Sequence, residues 1–166
     1  MLLALSSDQE LFLETTAKLL DELVPVGELR RLRDDPVGFD REYWRRGAEL
    51  GWTSLLIGEE RGGGSIGEFG LVDLALVAYQ FGRHAAPGPL AVTNVVAATL
   101  GETGQVDEEI AGLVSGASRA TWCLAEPPPN DRLGSIALEV RVDGDDVVLN
   151  GVKRPVESAA GADFLL

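Results

Sequence analysis

Cysteine and histidine are almost missing from this sequence: Cys123 and His84 are single examples of their kinds among 166 residues. One cysteine excludes an internal disulfide and a CxxC redox pair, and a lone histidine beside it leaves no Cys/His set for zinc. A reducing, cytoplasmic setting is therefore expected. Cations are scarce too, with fourteen Lys and Arg against 27 Asp and Glu and a formal charge of −13. Such a field repels a polyanionic backbone, so nucleic acid is not expected as a partner. No apolar run approaches the ~20 residues of a membrane span. The opening Met1–Ser7 segment lacks the cationic stretch and the ~7–15 apolar residues of a secretory signal. What remains is ordinary globular material, 45% hydrophobic and 25% charged, which excludes a disordered chain.

The period of the apolar residues changes once, near residue 120. Before it the pattern is helical. Ser7 and Glu10 have the spacing of a capping box, followed by Phe12, Leu19 and Leu23 on one face, flanked by Leu13 and Leu20, up to Pro25 and Gly27. Arg30 to Gly38, with Pro36, reads as a loop. Asp40 then caps a helix carrying Tyr43, Trp44, Ala48 and Leu50, which Gly51 stops. The buried run Leu55-Leu56-Ile57 leads into a glycine-rich loop at residues 58–64.

The spacing of Leu71, Leu74, Ala75 and Ala78 predicts a helix over 68–83. Val72, Leu76, Val77 and Tyr79 leave Asp73 and Gln80 as a narrow wet edge, so this helix is expected to be packed on several sides. Pro89 opens a further apolar helix through Leu100, and Asp107-Glu108-Glu109 suits the start of a short one through Ile110, Leu113 and Val114.

From Thr121 onward the period is two. Ile136, Leu138, Val140 and Val142 alternate with Ala137, Glu139 and Arg141, and Asp143-Gly144 turns the chain into Val147-Val148-Leu149. Asn150-Gly151 turns it again. Three prolines at 127–129 make the intervening 126–131 stretch a rigid loop. Asp163–Leu166 reads as the opening of a buried strand whose packing partner is expected elsewhere. The expected class is α+β: an all-α helical domain over 1–120, then part of an antiparallel β-domain over 121–166.

Motif chemistry is thin. Residues 62–67 fit G-x-G-x-x-G, but no βαβ unit succeeds them and no acidic residue lies ~20 positions on to hold a ribose, so a plain connector is expected. His84, beside Arg83 at a helix end, reads as structural, where a helix C-terminus favours a cation. Cys123, between Trp122 and Leu124 in an expected strand, reads as a buried thiol. Glu59-Glu60 reads as a solvated loop rather than an acid/base pair.

Four segments, in this order, resemble the acyl-CoA dehydrogenase family. Leu50-Gly51-Trp52 through Glu59-Glu60-Arg61-Gly62-Gly63 is similar to its LGW…PEEYGG segment, and Gln80-Phe81-Gly82-Arg83 with Ala86-Pro87-Gly88-Pro89-Leu90 to its ELGR…APGPL segment. Cys123-Leu124-Ala125-Glu126-Pro127 resembles the flavin-contacting xxTEP segment. Val140 to Lys153, with Leu149-Asn150-Gly151, resembles the DGDGYVLNGEK hairpin.

The resemblance implies an FAD enzyme in which a carboxylate removes the α-proton of an acyl-CoA thioester while the β-hydride goes to the flavin. It implies cofactor contacts at Trp122, Cys123, Leu124, Ala125, Glu126 and Pro127 and at Pro155, Val156 and Glu157, with Asn130 toward the substrate. It assigns no catalytic residue to this chain, because the family's base lies in a C-terminal bundle. Metal ligands are not implied. The partners implied are acyl-CoA and a further copy or another chain of acyl-CoA dehydrogenase type.

The chain departs from the pattern at Ala125, where the family has the Thr of TEP, and at Pro155-Val156-Glu157, where it has W-I-T. A hydroxyl and a ring are lost there, and Glu157 adds negative charge beside a cofactor that gains it on reduction. The expected role is part of a split or heteromeric acyl-CoA dehydrogenase, inactive alone; the alternative is a degenerate, non-catalytic paralogue acting as an interaction subunit.

Overall fold

The computed structural model describes residues 4–67, 69–104, 106–129, 131–132 and 136–166. Among the described residues six α-helices come first: α1 (Ser7–Leu23), α2 (Val26–Leu32), α3 (Arg41–Glu49), α4 (Gly70–His84), α5 (Leu90–Thr103) and α6 (Asp107–Val114). Four short strands follow: β1 (Ala120–Thr121), β2 (Glu139–Asp143), β3 (Asp146–Asn150) and β4 (Phe164–Leu165). Strands β2 and β3 form an antiparallel hairpin, and β1 pairs in parallel with β4. None of the described helices is long and apolar enough to cross a membrane.

The first helix is capped one residue earlier than its spacing suggests. The Ser6 hydroxyl accepts from Gln9 N and Gln9 Oε1 accepts from Ser6 N, so Gln9 rather than Glu10 closes the box. That shift frees the Gln9 amide to donate to Asp73 Oδ1 at 2.7 Å. Near the other ends of the two helices, His84 Nε2 lies 3.2 Å from Asp21 Oδ1. Helices α1 and α4 therefore run parallel, tied at both ends, with Phe12, Thr16 and Leu20 facing Leu74, Val77 and Phe81. Gly27 does not end α1. It lies inside α2, which Pro25 opens, so only the part of 30–38 after Leu32 is a loop.

The orientation of α4 reverses the expectation from its apolar pattern. Asp73 and Gln80 are buried, whereas Leu71, Val72, Ala75, Ala78 and Tyr79 are exposed. For Asp73 the reason is hydrogen bonding: it accepts from Gln9 Nε2 and from Gly67 N at 2.8 Å, which fastens the glycine loop to both helices, whereas the buried Gln80 Oε1 has no partner among the described residues. The helix is packed on one side, not several.

Two apolar clusters fill the interior. In the first, Trp52 meets Phe81 edge-on at 4.9 Å and Tyr43 at 5.8 Å between ring centroids. In the second, α5 and α6 pack on Ile57 and Ala120, with Trp122 and Phe164 against its edge. Buried Asn94 joins the clusters: its oxygen accepts from Leu55 N, and its nitrogen donates to the carbonyls of Trp52 and Leu90. Thr53 adds a bond to the Val114 carbonyl at 2.7 Å.

The β segment is anchored by Arg119. Its backbone N–H and its guanidinium both donate to the Asp163 carboxylate, and Asp163 N returns a bond to the Arg119 carbonyl. Strand-like pairing continues past β1, since Cys123 N donates to the Leu166 carbonyl. The hairpin turns through Gly144 and Asp145, with Asp143 opposite Asp146. Its ten residues are all exposed, although Val140, Val142, Val147 and Leu149 share one face. Alternation sorts the side chains to two faces, but it does not supply a layer to cover the apolar one.

Candidate functional site

Residues 122–127 run extended beside residues 153–157, which leave the hairpin. Arg154 N donates to the Ala125 carbonyl at 2.8 Å and Lys153 Nζ to the Leu124 carbonyl at 3.4 Å. Two cavities lie along this pairing. One, of about 440 Å³, is lined by Ala125, Glu126, Pro127 and Pro128 with Asp131, Arg154 and Pro155. The other, of about 670 Å³, is lined by Cys123, Leu138, Leu149, Lys153 and Val156, and closes on Ala159, Leu165 and Leu166.

Six of the nine residues singled out for a cofactor line one or other of these two cavities. Cys123 and Val156 face the larger cavity; Ala125, Glu126, Pro127 and Pro155 line the smaller. Leu124 is exposed, and Trp122 packs inward against the second core cluster. The side chain of Glu157 is exposed, while its carbonyl accepts from the Thr121 hydroxyl at 2.5 Å. Asn130 lies outside the described residues. Cys123 is half-buried rather than enclosed as its apolar neighbours suggest: its backbone pairs with Leu166, and its side chain lies at a cavity wall.

Glu126 differs most from its expected surroundings. Its carboxylate is buried and accepts from Ala137 N at 2.7 Å, Leu138 N at 3.1 Å and Lys153 Nζ at 2.8 Å. The Lys153 ammonium, helped by the Ala137 and Leu138 N–H groups, holds its pKa below the usual carboxylate range against the opposing effect of burial. Three donors engage that carboxylate, which makes it a poor proton acceptor.

Lys153, Arg154, Leu138 and Leu149 also line the cleft. Leu149 is placed by its pairing with Val140 across the hairpin, whereas Lys153 follows the last strand and is placed by its side-chain bonds to Glu126 and the Leu124 carbonyl, for which the sequence carries no local signal. His84 is structural: Nδ1 meets the Gln80 carbonyl at 2.7 Å while Nε2 meets Asp21. Glu59 and Glu60 are exposed on a short 3-10 turn, and the glycine loop follows no strand.

A family model described as Acyl-CoA dehydrogenase, N-terminal domain, matches residues 6–117. The chain belongs to the acyl-CoA dehydrogenase family. The Mycolicibacterium smegmatis acyl-CoA dehydrogenase IpdE2 is 32% identical over 118 residues, covering 70% of this chain and 37% of that protein. The mitochondrial isobutyryl-CoA dehydrogenase of Dictyostelium discoideum is 24% identical over 131 residues, 77% of this chain and 31% of that protein. A solved steroid ACAD variant, Tcur3481-Tcur3483, superposes with a TM-score of 0.80 at 27% identity, over 95% of this chain and 43% of its own. This acyl-CoA dehydrogenase family chain spans about a third of the length of the curated relatives it matches. The structural match reaches beyond the helices into the β segment, which the family model leaves unmatched.

Proposed function

We propose that this chain contributes the helical unit and one wall of the flavin cleft to an FAD-dependent acyl-CoA dehydrogenase, acting on an acyl-CoA thioester together with protein that supplies the proton acceptor. In this reading residues 1–120 are the helical domain and 121–166 the opening of the β-domain. The cofactor wall is Trp122 to Pro127 with Pro155, Val156 and Glu157, and Asn130 lies toward the substrate. The observation that carries it is the Arg154 N to Ala125 carbonyl bond, which pairs the two segments side by side so that residues of both line the same two cavities.

A flavin ring is a flat apolar body with a polar edge. Cys123, Leu138, Leu149 and Val156 suit its body, and extended backbone suits its edge. FAD in this cleft would supply the hydride acceptor for α,β-dehydrogenation. The chain's own part is to exclude water with these side chains, which strengthens the field acting on a thioester oxygen as it gains charge. A partner of acyl-CoA dehydrogenase type suits the exposed apolar faces of α4 and of the hairpin. The two-part name of the solved relative is in keeping with a two-chain enzyme.

A second reading, a non-catalytic subunit that keeps the fold, is favoured by Ala125 and Pro155, which offer neither a hydroxyl nor a stacking ring. Purifying the chain alone and together with a co-expressed acyl-CoA dehydrogenase-type chain from its genomic neighbourhood separates the two. Flavin absorbance from the pair and none from the single chain is the expected result; a colourless pair leaves the non-catalytic subunit.

A further inference from the structure

We infer that Glu126 and Lys153 are a positioning pair, which fixes the 124–126 segment against the root of the hairpin and so sets the shape of the cofactor wall, with neither side chain bonding the cofactor; this rests on the proposal that FAD seats there. A single buried carboxylate holds both legs of the hairpin. Ala137 and Leu138, whose N–H groups it accepts, lead into β2, and Lys153 follows β3. Lys153 also reaches the Leu124 carbonyl, so the loop at 124–126 is gripped from the entering and the leaving strand together.

The two partners face different cavities. Glu126 lines the smaller and Lys153 the larger, so their bond crosses the partition between them. Their side chains are 3% and 17% exposed. A buried ion pair is weak as a source of stability, because desolvation offsets its attraction, whereas its geometry is exacting. A hairpin with no residue buried needs such a fixture to hold Leu138 and Leu149 at the cavity wall. Both carboxylate oxygens of Glu126 are engaged by the hairpin root, Oε2 by Ala137 N and Oε1 by Leu138 N and Lys153 Nζ.

The test is FAD affinity of the protein purified with whatever chain completes its cleft, alongside exchange of the Ala137 and Leu138 amides. Glu126→Gln and Lys153→Met should each weaken FAD binding about tenfold or more, and the double variant should be no worse than the poorer single one, as for residues acting as a unit. Lys153→Arg should restore affinity to within about threefold, since it keeps the charge and the donor. Exchange at both amides should quicken in the Gln and Met variants. The flavin's visible band should not move in any of them.

Unchanged FAD affinity in Glu126→Gln and Lys153→Met would overturn the inference while leaving the cofactor reading intact. A band shift in Glu126→Gln alone would also overturn it, by showing direct contact. No FAD uptake by the native protein in any assembly would remove the cofactor reading and this inference with it. Should Glu126→Gln fail to fold, the Met and Arg variants at the less buried Lys153 still decide.

Discussion

The indole N–H of Trp52 donates to the hydroxyl of Thr16 at 3.1 Å, and neither residue has any exposed surface. This bond joins the turn after α3 to the middle of α1, where a polar side chain would otherwise be costly. Thr16→Val keeps the shape and removes the acceptor, leaving a buried donor unsatisfied, at a cost of about 1–3 kcal/mol. Thr16→Ser keeps the hydroxyl and should lose only the packing of one methyl group, about 1 kcal/mol. Denaturant unfolding of the two variants measures the difference.

The same indole sets the residue at 47. A Cβ on Gly47 would lie 2.0 Å from the Trp52 ring, which Tyr43, Phe81 and Thr16 hold from other sides. Exchanging a helix-interior glycine for alanine ordinarily gains about 1 kcal/mol. Here overpacking decides the sign, and Gly47→Ala should destabilise by about 1–3 kcal/mol. A thermal melt that rises in this variant would contradict the packing described.

Helix α4 permits a contrast between two neighbours. Leu71 is 70% exposed and Asp73 is fully buried. Leu71→Lys should change stability by no more than about 0.5 kcal/mol, as for an exposed position. Asp73→Ala leaves Gly67 N and the Gln9 amide without their acceptor and should cost about 2–4 kcal/mol. Unfolding curves check both, and sedimentation of Leu71→Lys and Tyr79→Lys should show less self-association if the exposed face is sticky.

The buried face of α4 differs from the one its apolar spacing predicts. Apolar spacing states that a helix exists and that one side is greasy, and α3, α5, α6 and the hairpin turn all follow from such local rules. It is silent on long-range polar partners. The burial of Asp73 depends on Gln9, 64 positions away, and the capping register of α1 depends on the same glutamine. Likewise Glu126 stands in a motif associated with flavin contact, yet its three donors come from 137, 138 and 153. Family motifs point to the segments at 122–127 and 153–157; what holds these segments together is not in the motifs, because side-chain bonds between distant residues leave no periodic trace.

The attachment of the β segment should depend on acid. Hydrogen bonding from the Arg119 side chain, with its backbone N–H and the nearby Arg41, holds the Asp163 pKa below the ordinary carboxylate value. A depressed folded pKa means that the contribution is present above the unfolded value, near pH 4, and is lost as pH falls through the folded one. Asp163→Asn removes the charge at every pH. Stability of the native chain should therefore exceed that of the variant near neutrality, and the gap should shrink once the pH drops below about 4. Exchange at the Cys123 and Leu166 amides, which pair beside this anchor, follows the same loss locally. A gap that stays constant or widens in acid would mean that Asp163 does not hold the β segment through its charge.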